Sequence, residues 1–203
     1  MDGTTPGVRL SLLRGLRAAD VFTLANGALG TLALILTLIY ARDGARHTLF
    51  GAAFCLLAAL VCDICDGRVA RAGGGGSSFG RELDSLADII SFGVAPAAIA
   101  FAAGLDAWLD VAALVFFVLC GLARLARYNV TAEALAEPGR AVRYYQGTPI
   151  PTSIVPLLML LTGFVVGELG ATRMAGIEFH LMTLAFVVSG CLMVSGTLRI
   201  PKL

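Results

Sequence analysis

Four aspartates are the residues of this sequence whose type and spacing could support chemistry. Asp63 and Asp66 are three residues apart, and Asp84 and Asp88 are four apart, so each pair lies on one face if its segment is helical. Four carboxylates brought together in a low dielectric repel one another and cannot all stay ionised without a counter-charge. Oxygen-only ligand sets suit hard divalent cations such as Mg²⁺, Mn²⁺ or Ca²⁺ rather than zinc. We therefore predict that Asp63, Asp66, Asp84 and Asp88 hold two divalent cations, because helix capping and interfacial placement would explain one or two aspartates but not two pairs.

The segment between the two pairs has the composition of a phosphate-binding turn. Gly73–Gly76 is an unbroken glycine run, and Ser77 and Ser78 follow it. Glycine lets a backbone approach a ligand closely, and hydroxyls and the guanidinium of Arg71 are suitable donors to phosphate. The run lacks the lysine and the preceding strand of a P-loop. A flexible turn is the alternative interpretation, but its position between two metal-binding helices favours a cover over a nucleotide diphosphate.

Composition places these residues in a membrane protein. The chain has 203 residues, 58% of them hydrophobic and only 14% charged, with a mean hydropathy of +0.85. Soluble domains carry about 25% charged residues, so most of this surface must face lipid. A net charge of +1 provides no basic stripe for nucleic acid. We expect a single membrane domain over residues 1–203, with its metal and nucleotide site at residues 63–88.

Hydropathy predicts an all-α integral membrane fold with six transmembrane helices. A span needs about 20 apolar residues, and six stretches qualify: Val21–Tyr40, Leu49–Arg68, Asp84–Leu105, Ala107–Arg127, Thr148–Gly167 and Phe179–Leu198. A further short helix at residues 8–19, with leucines partly separated from arginines, is expected to lie at the membrane interface.

The distribution of basic residues predicts the orientation. Cytoplasmic loops of membrane proteins carry an excess of Lys and Arg. If the six spans alternate, three arginines lie on one side: Arg42, Arg46 and Arg173. The other twelve basic residues lie on the opposite side: Arg9, Arg14, Arg17, Arg68, Arg71, Arg81, Arg124, Arg127, Arg140, Arg143, Arg199 and Lys202. Both termini, and the aspartate site, are therefore expected to be cytoplasmic in a cell-membrane protein.

The aspartates belong to a longer pattern that resembles a known signature. The sequence reads Asp63-x2-Asp66-Gly67-x2-Ala70-Arg71-x8-Gly80-x3-Asp84-x3-Asp88, which is similar to the motif of the CDP-alcohol phosphatidyltransferases. The resemblance implies a six-helix membrane enzyme, usually a homodimer, that displaces CMP from a CDP-linked lipid with an alcohol at a two-metal site. It implies that Asp63, Asp66, Asp84 and Asp88 bind metal, that Asp88 is the general base, and that Gly67, Arg71 and Ser77 contact the CDP group.

Further segments resemble the serine-accepting branch of that family. They are Asp84–Ala97, Thr23-x2-Asn26-x3-Gly30, Arg124–Asn129 and Gly147–Thr152. The expected substrates are then CDP-diacylglycerol and L-serine. Because serine carries a carboxylate, its pocket needs a cation or several donors, and Arg124, Arg127 and Asn129 at the end of the fourth span are the candidates.

Three other interpretations remain open on the sequence alone. Glycerol phosphate, inositol phosphate or choline could replace serine as the acceptor. A membrane prenyltransferase also binds diphosphates through aspartates, but its motifs usually lie far apart and six helices are too few. A small cation transporter could use the carboxylates to bind its ion, although such proteins often contain inverted repeats and none is visible here.

Overall fold

The fold is described from a computed structural model, which covers residues 17–72, 77–134, 144–167, 169–174, 177–197 and 199–201. Seven α-helices and four short strands make up most of it. The α-helices are α1 (Ala18–Asp43), α2 (Arg46–Ala72), α3 (Ser78–Asp88), α4 (Ala95–Ala103), α5 (Trp108–Ala134), α6 (Ile154–Val166) and α7 (Thr183–Val194). The strands are β1 (Tyr144–Gln146), β2 (Ala171–Met174), β3 (Ile177–His180) and β4 (Arg199–Pro201). A π-helical segment, Ile89–Val94, joins α3 to α4, and a 3₁₀ turn, Ile150–Ser153, precedes α6.

In the described part of the chain, four helical stretches are long and apolar enough to cross a membrane, which confirms a helical membrane protein. They are Ala18–Asp43, Arg46–Ala72, Ser78–Ala103 and Trp108–Thr131. Their outward faces carry large apolar side chains, and Leu38 and Phe54 are about 70% exposed. In water such an apolar surface would destabilise the protein or cause it to aggregate, whereas lipid solvates it.

The last two apolar stretches form shorter helices than the sequence predicts. The fifth covers Ile150–Val166 and the sixth only Thr183–Val194; twelve residues rise about 18 Å, less than the roughly 30 Å of a hydrocarbon core. The predicted start at Phe179 is wrong because β3 pairs with β2, so that Phe179 lies opposite Thr172. Hydropathy alone does not distinguish the end of β3, Phe179 and His180, from the first turn of a helix. Strands β1 and β4 form a second antiparallel pair, and both pairs are small additions to the all-α prediction.

The predicted interfacial helix at residues 8–19 falls mostly outside the described residues. Ala18 and Ala19 belong to the first turn of α1, and the Gly73–Gly76 run and most of the loop carrying Arg140 and Arg143 are also outside the described part of the chain.

Helix α1 forms an antiparallel hairpin with α2 and also packs along α3 and the π segment. Gly30 allows the closest of these approaches, since a Cβ at that position would collide with the side chain and backbone of Ser91. Small residues at helix contacts let backbones approach in membrane proteins.

The π segment has a local cause, because Pro96 cannot donate a hydrogen bond and its ring would clash with the carbonyl of Phe92 in a continuous α-helix.

A buried polar network centred on Asp110 connects α5 to α7, far from the four aspartates of the predicted metal site. Asp110 is fully buried. It accepts hydrogen bonds from the backbone N–H of His180 (3.0 Å), from its ring Nδ1 (2.6 Å) and from the Thr183 hydroxyl (2.5 Å). Buried carboxylates are tolerated when their oxygens are satisfied in this way. The network fixes where α7 begins, directly after β3.

Replacing Asp110 by Ala should destabilise the protein by about 2–4 kcal/mol, because three donors lose a buried charged acceptor. The thermal midpoint in detergent measures this. Thr183→Val, which removes one donor, should cost less. Activity per folded molecule should survive in both variants, because fourteen residues of α5 separate Asp110 from Arg124, about 21 Å of helix. An Asp110→Ala protein as stable as the wild type would contradict the anchoring role.

Candidate active site

Helices α2 and α3 bring three of the four predicted carboxylates together. One carboxylate oxygen each of Asp63, Asp66 and Asp84 lies within 4.8 Å of the others. Asp66 is buried, at 6% exposure, and the other two are half-buried. The i, i+3 spacing on α2 places both of its aspartates on one face, and α1 packs against both α2 and α3, which holds Asp84 beside them.

Asp88 lies one turn further along α3, at the edge of this cluster. It is 5% exposed and accepts a hydrogen bond from Asn26 Nδ2 at 3.0 Å. It interacts electrostatically with Asp84 and Asp63. All four predicted residues therefore share one region, with Asp88 held separately from the group of three.

The three clustered carboxylates fit a divalent cation. Like charges at this separation repel strongly, and Asp84 Oδ1 is a buried oxygen without a hydrogen-bond partner among the described residues. A cation bound to these oxygens would relieve both costs. Because the donors are all carboxylate oxygens, Mg²⁺ or Mn²⁺ fits their chemistry better than a metal that prefers nitrogen or sulfur.

Arg124 provides positive charge beside the carboxylates. It is half-buried on α5 and interacts electrostatically with Asp88, Asp84 and Asp63. Its guanidinium also lies over the ring of Tyr128, 5.4 Å from the centroid, which is within the range of a cation–π contact. Arg124 therefore brings a positive charge to the site from α5, which contacts α3.

The other two predicted acceptor residues make contacts between helices. Arg127 donates to the carbonyls of Val194 (3.3 Å) and Met193 (3.4 Å) at the end of α7. Asn129 donates to the hydroxyl of Ser85 at 3.0 Å. Arg124 and Arg127 are three residues apart on α5, but their long side chains reach different neighbours.

A cavity of about 430 Å³ adjoins the carboxylates. Asp66 and Asp84 lie at one side of it, and Gly67 and Ser77, two of the predicted CDP contacts, also line it. A Cβ on Gly67 would meet only Arg71 Nη1, at 3.9 Å, so the glycine leaves open space beside that guanidinium. Arg71 itself is exposed and does not line the cavity. The cavity is of a size that accepts part of a nucleotide.

Local packing explains the second glycine of the motif. Ser77 caps α3, since its hydroxyl accepts the N–H of Gly80 at 2.9 Å, as N-cap serines do. A Cβ on Gly80 would lie 2.9 Å from Asp20 Oδ1 and 3.1 Å from Ser77 Oγ. Gly80 therefore allows α3 to start directly against α1.

Three residues of α1 reach the site. No role was predicted for Asp20, whereas Thr23 and Asn26 belong to the Thr23-x2-Asn26-x3-Gly30 segment that resembles the serine-accepting branch. Asp20 and Thr23 line the cavity, and Thr23 and Asn26 contact carboxylates. The available signal was the placement of an aspartate, a threonine and an asparagine in an otherwise apolar helix, since polar residues in spans usually face the protein interior.

Sequence similarity to known proteins agrees with the interpretation of this site as a candidate active site. A family model described as CDP-alcohol phosphatidyltransferase matches residues 16–192. A CDP-diacylglycerol–serine O-phosphatidyltransferase of Saccharomyces cerevisiae is 43% identical over 202 residues, which cover 95% of this chain and 73% of the yeast protein.

Two more distant relatives carry related names. A CDP-diacylglycerol–serine O-phosphatidyltransferase of Helicobacter pylori is 34% identical over 90% of this chain and 71% of its own length. An archaetidylserine synthase of Methanothermobacter thermautotrophicus is 36% identical over 71% of this chain and 58% of its own length. The match of the family model over most of the chain, together with the carboxylate cluster and its cavity, leads to one assignment: this chain belongs to the CDP-alcohol phosphatidyltransferase family.

Proposed function

We propose that this protein transfers the phosphatidyl group of CDP-diacylglycerol to the hydroxyl of L-serine, forming phosphatidylserine and releasing CMP. The observation that carries the proposal is the cluster of Asp63, Asp66 and Asp84 beside a cavity lined by Gly67 and Ser77. Two relatives named as serine O-phosphatidyltransferases support the choice of acceptor.

Asp63, Asp66, Asp84 and Asp88 would hold two divalent cations, Mg²⁺ or Mn²⁺. When bound, such ions neutralise the diphosphate and stabilise CMP as the leaving group. Gly67, Arg71 and Ser77 bind the CDP group: the glycine leaves room for the phosphates, and the arginine and the serine offer donors.

Asp88 is the proposed general base. It takes the proton of the serine hydroxyl as that oxygen attacks phosphorus. The new bond joins the serine oxygen to the phosphorus of the lipid, and the bond to CMP breaks. Arg124 is placed to bind the carboxylate of serine, and this charge-assisted contact would orient the hydroxyl toward the lipid phosphate. The contacts of Arg127 and Asn129 favour a role in holding helices together rather than in binding the acceptor.

We further propose that the whole chain forms one domain in which all six apolar stretches cross the membrane, including the last two with their shorter helices, so that both termini and the site face the cytoplasm. The uneven distribution of basic residues supports this orientation. The homodimer rests on the family resemblance, and mass measurement of the protein in lipid nanodiscs would test it.

An acceptor panel tests the function. Purified protein with CDP-diacylglycerol and Mn²⁺ or Mg²⁺ should release CMP and incorporate labelled serine into lipid, with glycerol phosphate, inositol phosphate and choline as competing acceptors. No CMP release with any alcohol would refute the transferase. Release with another alcohol but not with serine would refute the choice of acceptor.

Arg71→Lys should raise the KM for CDP-diacylglycerol about tenfold, because lysine keeps the charge but not the two-pronged donor geometry that matches a phosphate. Arg68→Lys is the matched control: it lies one turn earlier on the same helix, is also exposed, and should leave the KM unchanged. Equal KM values for both variants would mean that Arg71 only anchors the helix at the interface.

A further inference from the structure

Two polar side chains of α1 each bind a carboxylate of the site. The Thr23 hydroxyl donates to Asp66 Oδ2 at 2.9 Å, and Asn26 Nδ2 donates to Asp88 Oδ1 at 3.0 Å. Asn26 is fully buried and Thr23 is 3% exposed. Both contacts cross between helices, so α1 reaches one aspartate on α2 and one on α3.

The backbone of α1 is fixed at this point by its contact with the π segment. Ser91 Oγ donates to the carbonyl of Asn26 at 3.0 Å, and Gly30 packs directly on Ser91. One turn earlier, Gly27 packs against Ala87, next to Asp88. The position of Asn26 relative to Asp88 is therefore set by backbone contacts on both sides.

Each contact engages one oxygen of its carboxylate. Among the described residues, no hydrogen bond reaches the second oxygen of Asp88. A donor on one oxygen restricts rotation of the carboxylate and leaves the other oxygen available for a cation or a proton. Hydrogen bonds of this kind orient metal ligands, and losing one typically costs 10–100-fold in metal affinity or activity.

Stability alone does not account for an asparagine at position 26. Its Oδ1 is buried without a hydrogen-bond partner in the described part of the chain, and an unpaired buried acceptor is destabilising. A leucine of similar size would avoid that cost but would leave the buried Asp88 Oδ1 without its donor, so the stability gained from the asparagine is small. The amide is therefore better explained by what it does to Asp88.

We propose that α1 is the positioning helix of the carboxylate site, in which Asn26 orients Asp88 and Thr23 orients Asp66 without touching substrate. The inference rests on the proposed function, since it assigns these residues to the reaction of the same site.

Mn²⁺ affinity, measured by the electron paramagnetic resonance of free Mn²⁺ without substrate, tests the Thr23 contact. Thr23→Val keeps the shape and should raise the Mn²⁺ Kd about tenfold, whereas Thr23→Ser should restore it. The control is Thr37→Val on the same helix. Thr37 is also 3% exposed, and within the described part of the chain its hydroxyl donates to the carbonyl of Ala33, so its loss should leave the Mn²⁺ Kd unchanged. A Thr23→Val protein that binds Mn²⁺ like the wild type would overturn the Thr23 assignment.

Asn26→Leu tests the contact between Asn26 and Asp88, because kcat and the thermal midpoint of the variant are measured separately. We expect kcat to fall 10–100-fold, the KM for CDP-diacylglycerol to stay within about twofold, and the thermal midpoint to change little, because the substitution removes one unpaired buried oxygen at Asn26 and leaves another at Asp88. An unchanged kcat, or a fall in kcat explained by loss of folded protein, would overturn the role of Asn26.

Different results would refute the transferase function and the positioning role of Thr23 and Asn26. If the wild type binds Mn²⁺ but transfers no phosphatidyl group to any alcohol, the function is wrong, while a weakened Mn²⁺ affinity of Thr23→Val would still support the positioning role. If the wild type is active and the Thr23 and Asn26 variants match it in Mn²⁺ affinity and kcat, the positioning role is wrong and the function stands.

Discussion

Replacing Asp63, Asp66, Asp84 or Asp88 by Asn is expected to lower the rate of phosphatidyl transfer about 10²–10⁴-fold. This is the range associated with loss of a general base or an essential charged group. Each substitution keeps the size of the side chain and removes one negative charge. The rate of labelled-serine incorporation into lipid, measured at saturating Mn²⁺, reports the loss. Asp88→Asn should still bind CDP-diacylglycerol, because losing the base does not remove the groups that hold the CDP.

The same four variants should have the opposite effect on the stability of the metal-free protein. Removing one of several repelling carboxylates lowers the cost of bringing them together, so the thermal midpoint in a chelator should equal or exceed that of the wild type. Added Mn²⁺ should stabilise the wild type by mass action and the variants much less. Two of the four variants retaining near wild-type activity would contradict a two-metal site.

Arg124→Ala is expected to raise the KM for serine about 10–100-fold, since a hydrogen bond to a charged group contributes about 1.5–3 kcal/mol. The KM for CDP-diacylglycerol should change little. Initial rates at varied serine and fixed CDP-diacylglycerol, and the reverse, separate the two constants. An acceptor without a carboxylate, such as ethanolamine, sharpens the test: the wild type should prefer serine, and Arg124→Ala should lose most of that preference.

Arg127→Ala is the matched control, because it removes the same charge from the same end of α5. Its hydrogen bonds go to the last carbonyls of α7, so we expect a lower thermal midpoint and an unchanged KM for serine. If Arg127→Ala raised the KM for serine selectively and Arg124→Ala did not, the assignment of the acceptor pocket would be reversed.

Much of the site could be predicted from the sequence because its geometry is local. The spacing of Asp63 and Asp66, and of Asp84 and Asp88, determines a shared face within one helix, and the five residues between α2 and α3 keep the two pairs near each other. Apolar stretches of about 20 residues likewise predicted the four membrane-length helices, three of them despite charges near one end, since a bilayer imposes a minimum length on any helix that crosses it.

The tertiary structure decided the features that depend on contacts between distant segments. Thr23 meets Asp66 across 43 residues and Asn26 meets Asp88 across 62, and periodicity within one helix does not specify which neighbour a face will meet. The start of α7 depends on strand pairing and on the Asp110 network rather than on hydropathy. Arg124 and Arg127 lie on one face by sequence, yet only the packing of α7 beside α5 gives Arg127 its carbonyl partners and leaves Arg124 beside the carboxylates. Helical repeat and hydropathy act within a segment and are therefore readable from the sequence, whereas the partner of each side chain is set by how whole helices pack.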